Sequence, residues 1–203
     1  MSYSLNEVEA LAKKATRGAG YSWGMAEEAS KAVRVLSAHG LDGCGALADT
    51  LVQFDAAGPG QCHPVGEFGV WRAPQGALCP ITVGTILSDR AEQMTAKPLR
   101  AEQVAQPILL LPFALQVARA IKHTVTLTTR QSVVATDGKS VSVQGSWIAH
   151  AEYVQIETGG TVETPIATSS RAKVEDHVWA KLNAFAHRTY APATEESRRK
   201  GAG

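Results

Sequence analysis

Cysteine is scarce, and what there is does not pair by spacing: Cys44, Cys62 and Cys79 are three in number, with no Cys-x-x-Cys among them. That argues against the disulfide framework of a small secreted domain and suits a reducing compartment, so the expected location is the cytoplasm. Aromatics are 6% of residues, and no stretch interleaves them with basic side chains, so a stacking surface for single-stranded nucleic acid is not expected. Charge of one sign is missing too. Twenty Lys and Arg face nineteen Asp and Glu, for a formal net charge of +1, which removes bulk attraction to nucleic acid or to an anionic membrane. The longest apolar patch, residues 107–118, is interrupted by Gln116 and two prolines and is too short to span a bilayer. No basic segment leads into an apolar run at the N-terminus, so no secretory leader is expected. The six histidines have no ligand spacing, and no metal, cofactor or catalytic signature is recognised.

What remains is ordinary globular material. With 203 residues, 44% of them hydrophobic and 19% charged, the chain is long enough for a substantial core. We expect a single domain over 1–203, divided into a helical part (1–54), a Gly/Pro-rich loop (55–67) and an α+β part (68–203). Ser4-Leu5-Asn6-Glu7 reads as a capping box opening a helix with Val8, Leu11, Ala12 and Ala15 on one face and a left-handed stop at Gly18. Ser22 caps a second helix, which carries a Glu27–Lys31 pair and ends at His39-Gly40; Asp42 caps a third over 45–54. Further on, residues 68–72, 79–84 and 107–111 read as strands, and 85–94 as a short helix. Pro112 opens another helix. Threonines alternate with Val125 and Leu127, Asp137-Gly138 marks a two-residue hairpin, and 153–156 is expected to pair with a return strand over 162–166. Residues 173–186 form the closing helix. The fold class is α+β: an N-terminal helical layer, an antiparallel or mixed sheet with hairpins, and a C-terminal helix packed on the sheet.

The chemistry is densest between the first two helices. Arg17, Gly18, Gly20, Tyr21, Ser22, Trp23, Gly24, Glu27 and Glu28 fall within one elbow. Glycines there free backbone N–H groups at a helix start, which hold anions, and Arg17 adds a bidentate clamp. Glu28 is the candidate base, with Glu27 beside it, although carboxylates in a first helical turn are also favoured by the helix dipole alone. The same elbow also reads as a tight helix–helix turn sealed by Tyr21 and Trp23. At the far end Arg188, Tyr190, Thr194, Ser197 and Arg198 form a basic, hydroxyl-rich segment suited to an oxyanion, or else a capped terminal turn.

Three stretches carry a family resemblance: the elbow from Arg17 to Ala29, Leu109-Leu-Leu-Pro-Phe, and residues 188–203. Together they resemble a bacterial family known only as a domain of unknown function (3726). The family pattern implies a chain that continues past Gly203, and it brings no activity with it. A second likeness is to the N-terminal helices of non-Rossmann malate/L-lactate dehydrogenases, with His39-Gly40 as counterpart; it implies a nicotinamide cofactor, in a chain short for such an enzyme. The functional expectation is a protein of small-molecule catabolism that holds an anionic metabolite between the elbow and the C-terminal segment. If catalytic, it is a hydrolase or lyase, with Arg17, Arg188 and Arg198 orienting the substrate, Gly20, Ser22, Trp23, Glu27, Tyr190 and Ser197 lining it, and no metal or cofactor. The alternative is a non-catalytic accessory subunit or homo-oligomer that assembles through its alanine-rich helices and Trp23.

Overall fold

The computed structural model describes residues 1–55, 62–67 and 69–190. It begins with a short strand β1 (Ser2–Ser4) and helix α1 (Leu5–Gly18). The capping box is formed: Ser4 Oγ accepts from Glu7 N at 3.2 Å, and Ser4 N donates to Glu7 Oε2 at 2.7 Å. Val8, Leu11, Ala12 and Ala15 of α1 are buried against α2 (Trp23–Ala38), whose inward face is Ala26, Ala29, Ala32, Val33 and Leu36. Small residues let the two backbones close up, while each buried Val or Leu contributes about 1.5–3 kcal/mol. Asp42 then caps α3 (Gly43–Phe54) by accepting from Gly45 N at 2.8 Å.

The helix stop differs from expectation. Gly18 remains helical, and the left-handed residue is Gly20, at φ +93°. What position 18 requires is absence of bulk, because a Cβ there would lie 1.9 Å from the Phe185 carbonyl oxygen.

The second half holds a six-stranded sheet in the order β2-β3-β7-β4-β5-β6. Its strands are β2 (Val70–Trp71), β3 (Leu99–Ala105), β4 (Val125–Thr128), β5 (Ser132–Thr136), β6 (Val141–Gly145) and β7 (His150–Thr158). Only β2–β3 is parallel, so the sheet is mixed. Helices α4 (Pro80–Asp89) and α5 (Leu111–Ile121) lie between the sheet and α2. A separate two-stranded sheet pairs β1 with β8 (Arg171–Lys173), joining the two ends of the described chain.

Several expected strands are not strands. Residues 79–84 open α4 instead. Pro80 sits in its first turn, with φ already suited to a helix, and the Thr82 and Thr85 hydroxyls donate back to Cys79 O and Ile81 O, both at 2.8 Å. The run Pro107–Leu110 is a 3₁₀ turn leading into α5; Gln106 in the left-handed region turns the chain out of β3, and proline has no N–H for a ladder. The strand at that place is Leu99–Ala105 instead. The segment 162–166 does not pair as a strand, and it keeps one backbone bond, Ile166 N to Val141 O at 2.8 Å. Pro165 removes the donor beside it. The hairpin at Asp137 has four turn residues, 137–140, with Asp137 Oδ1 accepting from Lys139 N and Ser140 N.

The closing helix α6 (Asp176–His187) starts later than expected because Arg171–Lys173 is held as strand by β1. It packs chiefly on α1 and α3, and Trp179 stacks on Tyr3 of β1 with ring centroids 3.6 Å apart.

Candidate functional site

The elbow is built by the ends of α1 and α2. Arg17 Nη1 donates to Tyr21 O at 2.8 Å, and its guanidinium lies 5.3 Å from the centroid of Trp23, which is 60% exposed. Ser22 Oγ accepts from Met25 N at 3.3 Å, so the first turn of α2 has a side-chain cap of its own. Tyr21 turns inward: it is 1% exposed, its hydroxyl is 3.2 Å from Cys79 Sγ, and burial pushes its phenol well above the usual range.

The carboxylates of α2 are paired. Glu27 bonds Lys31 and Lys13 at 3.1 and 3.2 Å, and these hydrogen bonds hold its carboxyl below the usual range. Glu28 bonds Lys31 at 2.9 Å and accepts from Gln116 Nε2 at 3.3 Å.

The elbow and the described start of the C-terminal segment, Arg188–Tyr190, converge. Gly18 closes on the backbone of Phe185 and on Arg188. Arg188 spends its guanidinium on Asp55, in two bonds of 2.5 and 3.0 Å. Tyr190 is exposed, edge-on to His187, with Lys14 5.9 Å from its ring centroid. Thr194, Ser197 and Arg198 lie outside the described residues. What fills the described junction is packed backbone and paired charge.

Open space lies elsewhere, where the turn between α2 and α3 faces β8. Gly40, at φ +70°, reverses the chain, and Gly43 lets α3 begin hard against α2, since a Cβ there would come within 2.9 Å of both Leu36 Cβ and Val33 O. Between this turn and Arg171–Val174 is a hollow of about 300 Å³; a second, of about 580 Å³, shares Asp42, Lys173 and Val174 with it. These volumes fall in the range of small-molecule sites.

Four groups give the hollow its chemistry. The N-terminus of α3 supplies the positive end of a helix dipole. Arg171 is anchored, donating to Ser2 Oγ and Ser2 O at 3.0 and 2.8 Å. Lys173, on the exposed side of β8, has no ion-pair partner among the described residues. Cys44 lies in the wall, its thiol pushed up to about 12 by burial and by the Asp42 charge, so it is a neutral thiol at ordinary pH. In sequence the local half of this cleft is legible only as two helix caps. Nothing local links residues 40–44 to 171–174; that juxtaposition comes from β8 lying against α2, where Ser169 N donates to Ala38 O at 2.7 Å.

Among the described residues no three His, Cys, Asp or Glu side chains come together as a metal set, and no helix is long and apolar enough to cross a membrane.

A comparison with curated proteins finds no match. Residues 3–78 match a family model, and that stretch takes in β1, α1, the elbow, α2, the turn at 39–43, α3 and β2, while Arg171–Val174 and the C-terminal segment lie beyond it. Over that stretch the chain is similar to the family described as "Protein of unknown function (DUF3726)".

Proposed function

We propose that the protein binds a small anionic metabolite, and that its seat is the cleft between the α2–α3 turn and β8. The observation that carries this reading is Lys173, a cation without a partner among the described residues, on the lip shared by both hollows and beside the α3 N-terminus. An ammonium group and a helix N-terminus together favour a carboxylate or phosphate over a neutral ligand. Asp42 is the carboxylate common to both hollows, and one of its oxygens already caps Gly45 N. An acid–base reaction in the cleft would therefore draw on its second oxygen. Three buried cysteines, none of them in a disulfide, fit a reducing compartment, the cytoplasm.

Titration calorimetry with succinate, citrate, inorganic phosphate and nicotinamide dinucleotides tests the reading. Wild-type protein is expected to bind at least one of them, and Lys173→Ala to weaken that affinity by about tenfold or more. No binding at millimolar concentration ends the proposal. Binding abolished by Arg17→Ala but untouched by Lys173→Ala would move the anion to the elbow.

One observation favours a second reading, assembly with another copy. Trp23 leaves 60% of its surface exposed at the corner of α2, although the alanine faces of α1 and α2 are already used inside the chain. Light scattering separates the two: a dimer dissociated by Trp23→Ala supports assembly.

A further inference from the structure

Cys62 and Cys79 belong to one buried cluster that the anion cleft does not use. Cys79 N donates to Cys62 O at 3.5 Å, and Thr82 Oγ1 donates to both carbonyls, at 3.2 Å to Cys62 O and 2.8 Å to Cys79 O. Two backbones one hydrogen bond apart have Cα atoms about 5–6 Å from each other, within the window of about 4.4–6.8 Å that a disulfide spans. Neither cysteine is in a disulfide, both lie in the same core at 3% and 0% exposure, and Tyr21 Oη sits 3.2 Å from Cys79 Sγ. The thiols also sense each other electrostatically: after burial, the Cys79 charge is what raises Cys62 to about 11. Cys44 stands apart, at the start of α3. The odd count of three therefore resolves into a pair and a single.

We propose that Cys62 and Cys79 form a reversible disulfide by exchange with a low-molecular-weight disulfide, clamping the chain ahead of β2 onto the start of α4. The Cys62 thiolate attacks one sulfur of oxidised glutathione, giving a mixed disulfide and releasing one glutathione thiolate. The Cys79 thiolate then attacks the Cys62 sulfur, and the second glutathione leaves. Two protein thiols are oxidised, one glutathione disulfide is reduced to two thiols, and the two protons pass to the released thiolates. Cys62 goes first because its neighbour His63 is exposed, whereas Cys79 is wholly enclosed. The raised thiol pKa values make the exchange slow at neutral pH and faster as pH rises. The bond fastens the floor on which Tyr21 rests, and through it the elbow.

The experiment is incubation of the native protein with oxidised glutathione, alkylation of remaining thiols, and non-reducing peptide mapping by mass spectrometry. The expected result is a Cys62–Cys79 crosslinked peptide, a melting temperature raised by about 5–10 °C, and reversal of both by dithiothreitol. Cys44→Ser should leave the crosslink intact, while Cys62→Ser and Cys79→Ser should each abolish it; using both guards against a variant that fails to fold. A stable glutathione adduct on Cys62 without closure, a crosslink through Cys44, or thiols that stay fully alkylatable after oxidation would each overturn the proposal.

Discussion

The elbow at residues 17–28 and the turn at 39–45 are built alike and end differently. Each joins two helices through a left-handed glycine, Gly20 at φ +93° and Gly40 at φ +70°. Each is followed by a side-chain cap, Ser22 onto Met25 N and Asp42 onto Gly45 N. At the elbow a third element, α6, presses its backbone onto Gly18, and Tyr21 plugs inward against Cys79. At the second turn the third element is β8, whose exposed side faces the helix start and leaves space of about 300 Å³. The richer local chemistry belongs to the filled junction, and the plainer sequence to the open one. A cluster of polar and glycine residues states what a turn can do; the element that arrives from elsewhere decides whether room is left to do it.

Substitutions at the two places should therefore separate stability from binding. The largest effect is expected from Gly18→Val, which drives a branched side chain into the Phe185 carbonyl; urea denaturation should show a loss of about 3 kcal/mol. An unchanged midpoint would mean that the elbow is not a packed seam. Lys173→Ala should cost about 1.4 kcal/mol or more of anion affinity by calorimetry while moving the melting temperature by no more than a degree or two. Gly24→Ala reverses the sign: a Cβ there meets nothing within 4 Å, and replacing a helical glycine should stabilise by about 0.4–1 kcal/mol.

The smallest effect is electrostatic. Hydrogen bonds from Arg188 hold the Asp55 carboxyl below its ordinary value of 3.8, so the unfolded chain binds the proton more readily than the folded one. That contribution is complete above the unfolded value and fades as pH falls through the folded one. Asp55→Asn should flatten this part of the acid limb in melting curves taken below about pH 5; an acid limb identical to wild type would detach α3 from the C-terminal segment.

The sequence is legible where the physics is local. The Ser4–Glu7 box, the Ser22 and Asp42 caps and the Glu27–Lys31 pair each involve residues no more than four apart, and all are formed. Short apolar runs are ambiguous because periodicity does not distinguish a buried strand from a buried helix over five or six residues. At 79–84 and 107–111 the prolines pointed to helical starts. Leu99–Ala105 alternates buried Leu99 and Ala101 with half-exposed Arg100 and Glu102, a strand pattern whose modest hydrophobicity makes a weak signal.

By itself the amino-acid order determines where the first three helices begin, which faces they bury and the α+β class, because capping, charge pairing and hydrophobic spacing act over a few residues. Only the tertiary structure decided that Ser2–Ser4 pairs with Arg171–Lys173, that α6 closes the elbow, and that Lys173 shares a hollow with the start of α3. Those three outcomes join residues from opposite ends of the chain, and no local preference encodes a contact whose partners become neighbours only when the whole core packs.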